Sequence, residues 1–92
     1  MRLVQPTDFD ILELLVDDDG DRNVAANIAL ELNRDRPYIN TRLPELADQG
    51  LLCRIGPSER LGLYQITPLG RRAVAYRSGY DEVDDFEALI EV

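Results

Sequence analysis

The stretch VAANIALELNRDRPYINTRLPELADQGLL, residues 24–52, decides the fold of this chain. Its first third carries apolar residues at positions i, i+3, i+4 and i+7, the spacing of one stripe on an amphipathic helix. Asn23 stands immediately before this stripe and can cap the free N–H groups of the helix. The residues of the stripe are Ala25, Ile28, Ala29 and Leu32.

A second helix is predicted to begin at Pro37, because a missing N–H does no harm at the first helical position. It ends at Gly50, a typical residue just beyond a helix C-terminus. The polar turn 33–36 joins the two helices, and two short helices so joined indicate a helix-turn-helix, whose second helix usually enters the DNA major groove. The second apolar stripe comprises Ile39, Leu43, Leu46 and Ala47.

Pro44 lies inside this second helix. It cannot donate to the carbonyl of Asn40, and its ring crowds the preceding turn. We therefore expect the helix to kink or to split at this position.

Elements on either side of the motif complete the predicted domain. A helix over residues 8–16 is expected to be capped by Thr7. Two β-rich runs, 51–55 and 61–66, enclose the turn-forming cluster 56–60. They predict a β-hairpin directly after the second helix of the motif.

The last part of the chain begins with Thr67 and Pro68, an N-cap and first-turn pair that starts a helix running to about Arg77. Residues 80–92 are acidic and carry apolar residues at helical spacing, which can pack on the domain or on a second subunit. A disordered acidic tail is the alternative. We expect a domain over 1–79, mainly α with a small β-hairpin, and then an additional helix or tail. The apolar residues of the final segment are Val83, Phe86, Leu89 and Ile90.

The composition argues against several classes of function. The chain of 92 residues has one cysteine and no histidine, so a zinc site or a Cys/His catalytic pair is not expected. The acidic run 17–21 resembles a calcium loop, but Ile28 stands where the loop needs a Glu, and a solvated loop is the favoured interpretation. We expect no enzyme activity, no cofactor, no metal and no small-molecule ligand. Cys53 is expected to be a small buried residue, with a redox switch as the alternative.

Nothing in the sequence suggests a membrane or export. It has no apolar run long enough to span a bilayer, and its first residues lack a basic segment followed by an apolar one. A single cysteine also favours a reducing compartment. We expect a cytoplasmic protein.

The net charge is −8, and its make-up is unusual. All ten basic residues are Arg, and eleven of the eighteen acidic residues are Asp. A lysine-free, Asp-rich composition resembles that of proteins from salt-loving archaea, which stay soluble by holding water and cations on dense carboxylates. The alternative is an ordinary acidic protein.

The charge is unevenly distributed along the chain. Residues 1–33 carry two Arg and eight acids, which gives −6, and residues 73–92 carry one Arg and six acids, which gives −5. Residues 34–72 carry seven Arg and four acids, which gives +3. A basic face on an acidic body is what a halophilic DNA-binding protein would present.

The candidate DNA-binding residues lie in this basic third. Arginine suits bidentate readout of guanine and asparagine that of adenine, while tyrosine and threonine can bond phosphates. The alternative for each is an exposed polar residue that only keeps the surface soluble. In the predicted β-hairpin, which would form the wing of such a domain, Arg54 and Arg60 are candidates for phosphate or minor-groove contact. In the turn and second helix the candidates are Arg34, Arg36, Tyr38, Asn40, Thr41 and Arg42.

Four segments carry a resemblance to a known family. They are AANIALEL, YINTRL, ELADQGLL and LYQITPLGR, and the similarity extends over roughly residues 7–77. Here the chain resembles the winged helix-turn-helix regulators of haloarchaea, including relatives of the phage phiH repressor. The resemblance implies a winged helix that binds double-stranded DNA as a homodimer and represses transcription. A winged-helix module that binds protein within a transcription or replication complex is the second hypothesis.

Overall fold

The computed structural model of the protein describes residues 1–17, 22–55 and 62–91. Five helices and three short strands make up this part of the chain. In chain order they are α1 (Thr7–Asp17), β1 (Arg22–Val24), α2 (Ala25–Leu32), α3 (Arg36–Asp48), β2 (Leu52–Ile55), β3 (Leu63–Ile66), α4 (Pro68–Ala75) and α5 (Phe86–Ile90), with a 3₁₀ turn at Arg77–Gly79 between the last two.

The predicted pairing of the two β-rich runs is confirmed and belongs to a larger sheet, whereas the turn cluster 56–60 lies outside the described residues. β2 and β3 pair antiparallel, with Leu52 opposite Ile66. β1 pairs antiparallel with the other edge of β3, so the strand order is β1-β3-β2. β1 was not predicted, because three residues are too few to show an alternating pattern.

Asn23 belongs to β1 and does not cap α2. Val24 is the N-cap residue and makes no side-chain capping bond. The first N–H of the helix, that of Ala25, instead donates to the carbonyl of Gly62, 3.2 Å away. The backbone oxygen of Gly62, just before β3, thus performs the capping expected of Asn23.

Pro44 neither splits nor ends α3, which is one continuous helix of 13 residues. The proline leaves only the carbonyl of Asn40 without its helical donor. Asn40 is exposed, so water can hydrate that carbonyl. Gln49 is the C-cap residue and Gly50 follows with φ +83°, which confirms the predicted end of the helix.

The core is built around α1 and the two stripes of the motif. Phe9, Ile11, Leu12 and Leu15 of α1 are completely buried. Ile39, Leu43 and Leu46 of the α3 stripe are completely buried as well, so the prediction that they face the core is confirmed. Completely buried among the other elements are Ile28, Ile39, Leu43, Leu46, Leu51 and Ile90.

The C-terminal segment packs on the domain itself. Phe86 and Ile90 of α5 are buried. The rings of Phe9, Tyr80 and Phe86 form a cluster of three edge-to-face contacts, with centroids 5.0–5.9 Å apart. Val83 is the member of the predicted stripe that stays exposed.

Two further expectations can be compared with the structure. The prediction that Cys53 is buried is wrong: it is exposed, because Leu52 takes the core-facing position of β2 and the next residue in a strand points the other way. Among the described helices, none has both the length and the apolar character needed to cross a bilayer.

Candidate nucleic-acid interface

The N-terminal half of α3 presents a polar surface to solvent. Arg36, Tyr38, Asn40 and Thr41 are exposed, because the stripe that contains Ile39 turns the opposite side of the helix into the core. The Thr41 hydroxyl donates to the carbonyl of Tyr38 at 2.6 Å, which holds it against its own helix. All four predicted residues therefore lie on the solvent-facing surface of the helix.

Arg42 does not belong to this face. Its Nε and Nη2 donate to Oδ1 and Oδ2 of Asp8, each at 2.9 Å. The Arg42 side chain is 16% exposed and that of Asp8 is 0% exposed. The hydrogen bonds that Arg42 donates to Asp8 raise the pKa of its guanidinium above its ordinary value. This corrects the expectation that Arg42 points outward. Its side chain is largely buried and bonds to Asp8 of α1.

Arg34, in the turn before α3, is also held by α1. Its Nη1 donates to Oγ1 of Thr7 at 3.1 Å, and its Nη2 lies 2.9 Å from Oδ2 of Asp10. Thr7 is buried and is the first residue of α1, so its hydroxyl serves a distant arginine and not the predicted cap. The side chain of Arg34 is therefore only partly exposed to solvent.

A third arginine, which the sequence did not point to, completes this arrangement. Nη1 of Arg77 lies 2.9 Å from Oε1 of Glu13, and its Nη2 lies 3.4 Å from Oδ1 of Asp10. The guanidinium also stacks over the ring of Phe9, with 5.2 Å to the centroid. The bond to Glu13 raises the pKa of Arg77. Acidic side chains of α1 therefore pair with arginines from three other parts of the chain.

In the β-hairpin, Arg54 of β2 lies over the ring of Tyr64, 5.3 Å from its centroid, and its Nη2 donates to the tyrosine hydroxyl at 2.6 Å. Both residues line a cleft of about 260 Å³ together with Pro44 and Asp48 of α3. Arg54 is thereby placed next to the C-terminal half of α3. Arg60, the other wing candidate, lies outside the described residues.

The exposed charges along α3 change sign from one end to the other. Arg36 stands in the first turn, whereas Glu45 and Asp48 are exposed in the second half. A polyanion would be repelled by the second half and tolerated by the first. The usable surface of α3 is therefore its N-terminal half. In the described ranges no group of three or more acidic, Cys or His side chains could hold a metal ion.

No protein-family model matches this chain, and neither does any curated protein or any solved structure. Its function therefore has to be argued from the contacts described above.

Proposed function

We propose that this protein is a winged helix-turn-helix regulator that binds double-stranded DNA in a sequence-specific way and represses transcription as a homodimer. One observation carries the proposal. The element order α1-β1-α2-α3-β2-β3, with the sheet order β1-β3-β2, joins a helix-turn-helix to a β-hairpin, and the second helix of the motif exposes polar side chains at its start. In helix-turn-helix proteins this end of the recognition helix contacts the base edges.

In this mode of binding, the first two turns of α3 enter the major groove. The Asn40 amide suits the N6 and N7 positions of adenine, and the Arg36 guanidinium suits guanine or a phosphate. Tyr38 and Thr41 contact phosphates or a thymine methyl group. Arg54 and Arg60 remain proposed wing contacts to the backbone or the minor groove.

Homodimer formation needs a surface other than the apolar stripe of residues 80–92, which the sequence offered to a second subunit. The apolar side of α1 is buried in the domain, and so are Phe86 and Ile90 of the C-terminal stripe. Neither is therefore available to a second subunit in this fold. The small size of the domain and the two-fold symmetry of most operators still support a dimer.

The proposal extends to a halophilic setting, an archaeon or its virus, which the lysine-free, Asp-rich composition supports. Such a protein works in molar salt, where carboxylates do not repel DNA over long distances because screening is nearly complete. The overall charge of −8 is then compatible with binding a polyanion.

The experiment that tests the proposal is selection of bound sequences from random double-stranded DNA at high potassium chloride concentration. A winged-helix regulator should enrich one motif, and a two-fold symmetric motif would support the dimer. Arg36→Ala should reduce binding to the selected sequence. Arg2→Ala is the matched control, because it removes an equally exposed arginine that lies outside the motif.

A second function, binding to protein, is favoured by a specific observation. Arg34 and Arg42 bond to carboxylates of the same chain, so they contribute less positive charge to the surface than the sequence suggested. Leu30 of α2 is 78% exposed, so its apolar side chain is open to contact with a protein partner. If selection at high salt enriches no sequence, this second function replaces the first.

A further inference from the structure

The two arginines that flank the exposed half of α3 bond to the same turn of α1. Arg34 lies two residues before the helix, and Arg42 is its seventh residue. Their partners are Thr7, Asp8 and Asp10. We refer to these three residues as the α1 clamp. The segment between the two arginines contains all four exposed polar residues of the candidate interface.

The ion pair between Arg42 and Asp8 is directional, and its carboxylate is shielded from solvent. Two parallel N–H donors on two carboxylate oxygens fix the distance between the groups and the angle at which they meet. The backbone N–H of Val4 donates to Oδ2 of Asp8 at 2.7 Å, so the carboxylate is held from its other side as well. Asp8 is 0% exposed and cannot touch a ligand. The position and rotation of α3 at Arg42 are therefore set by α1.

Stability alone does not account for this arrangement. A buried ion pair is often no more stabilising than well-packed apolar residues of similar volume. The hydrophobic effect, however, has no preferred direction, whereas a bidentate pair fixes one geometry between its two groups. Base readout needs side chains to be held within about 0.5 Å and 10–20° of their working positions.

We infer that the α1 clamp is the positioning device of the recognition helix, in which Asp8 and Asp10 hold α3 through Arg42 and Arg34 so that its exposed residues reach the base edges in one orientation. This inference rests on the proposed DNA-binding function. In this arrangement the clamp residues influence DNA binding through Arg34 and Arg42 and not by contact with DNA.

Asp8→Asn tests the inference, because two mechanisms give opposite results. If Asp8 acted only through its charge, removing a carboxylate near DNA would tighten binding to every sequence. If Asp8 positions α3, binding to the selected sequence should weaken and binding to unrelated DNA should not. We expect the ratio of specific to non-specific affinity to fall about tenfold, as on loss of one good base contact.

Asp48→Asn is the matched control, since it removes the same charge from the exposed end of α3. It should leave the ratio unchanged. Both affinities are measured for each variant at one high potassium chloride concentration, and circular dichroism confirms that each variant is folded. An unchanged ratio for folded Asp8→Asn overturns the inference.

A second variant serves if Asp8→Asn does not fold. Asp10 is 27% exposed, so Asp10→Asn should be tolerated while weakening the hold on Arg34. We expect its ratio to fall about threefold; an unchanged ratio in this variant overturns the inference just as well. If the wild-type protein enriches no DNA sequence, the proposed function fails and the inference fails with it. If the wild type enriches a sequence, and the folded variants keep the wild-type ratio of specific to non-specific affinity, only the inference is refuted. The proposed function then stands.

Discussion

Asp8 of α1 and Arg42 of α3 form a bidentate ion pair across the core, with both N–O distances at 2.9 Å and the carboxylate fully buried. Each carboxylate oxygen has a donor, and among the described residues no buried side-chain nitrogen or oxygen lacks a partner. The pair is therefore a satisfied one, and its two halves depend on each other.

Breaking this pair from one side should be strongly destabilising. We expect Arg42→Met to lower the free energy of unfolding by about 3–5 kcal/mol, because Asp8 is left charged in an apolar environment. The double variant Asp8→Asn/Arg42→Met should regain part of that loss. Denaturant titrations at high salt of the wild type, the two single variants and the double variant give the coupling energy. Strict additivity would show that the two residues do not interact.

Gly70 should be irreplaceable for a packing reason. A Cβ at this position would collide with the carbonyl oxygen of Leu51 and with the side chain of Ile66. Gly70→Ala should therefore destabilise the protein by about 1–3 kcal/mol, although alanine favours a helix. Gly79→Ala is the control, because its Cβ meets only the flexible end of Leu89 at 3.3 Å. Equal melting temperatures for the two variants would contradict this prediction.

The C-terminal segment should contribute to stability. Phe86 is 3% exposed and packs against Phe9 and Tyr80, so Phe86→Ala should lower the free energy of unfolding by about 3–5 kcal/mol. Val83→Ala, at an exposed position of the same segment, should have little effect. Thermal melting of the two variants measures the difference. A Phe86→Ala protein as stable as the wild type would mean that the segment does not pack as described.

Asn40 should determine base preference. We expect Asn40→Ala to weaken binding to the selected sequence by about 1–3 kcal/mol and to relax the preference at one base pair. Asp48→Ala, on the exposed end of the same helix, should not relax it. Repeating the DNA selection with each variant provides the measurement. If Asn40→Ala selects the same motif as the wild type, Asn40 does not determine base preference.

Folding and DNA binding should both respond to salt in the halophilic sense. The screening length is about 30 Å at 0.01 M salt and about 3 Å at 1 M. The molecule measures 35 × 24 × 22 Å, so at low salt its carboxylates repel one another across the whole domain. The melting temperature should rise between 0.1 and 3 M potassium chloride.

The salt dependence of DNA binding follows from the same charges. Basic regulators lose affinity steeply as salt rises, because binding releases counterions from phosphates. Here acidic regions approach DNA and must take up cations, so the slope should be shallow or even positive. Titrations over the same range of potassium chloride measure it. A melting temperature independent of salt, with the tightest binding at the lowest salt, would refute the halophilic interpretation.

Local patterns in the sequence were enough to predict most elements. The stripe on α3, the turn before it, the glycine after it and the Thr67 cap of α4 each depend on residues within a few positions of one another. Helical periodicity and capping are interactions over three or four residues, so they can be read without knowing the fold. The exposed positions of Arg36 and Asn40 followed directly from the buried positions of their neighbours.

Only the tertiary structure decided which partner each charged residue takes. Asp8 and Arg42 are 34 residues apart in the chain, and no local pattern relates them. The three residues of β1 form a strand only because β3 offers a free edge. The sequence by itself determined which side of α3 is polar. The ion pair with Asp8 of α1 decided that Arg42 is largely buried while Arg36 stays exposed, because a long charged side chain bonds to the partner that the fold brings within its reach.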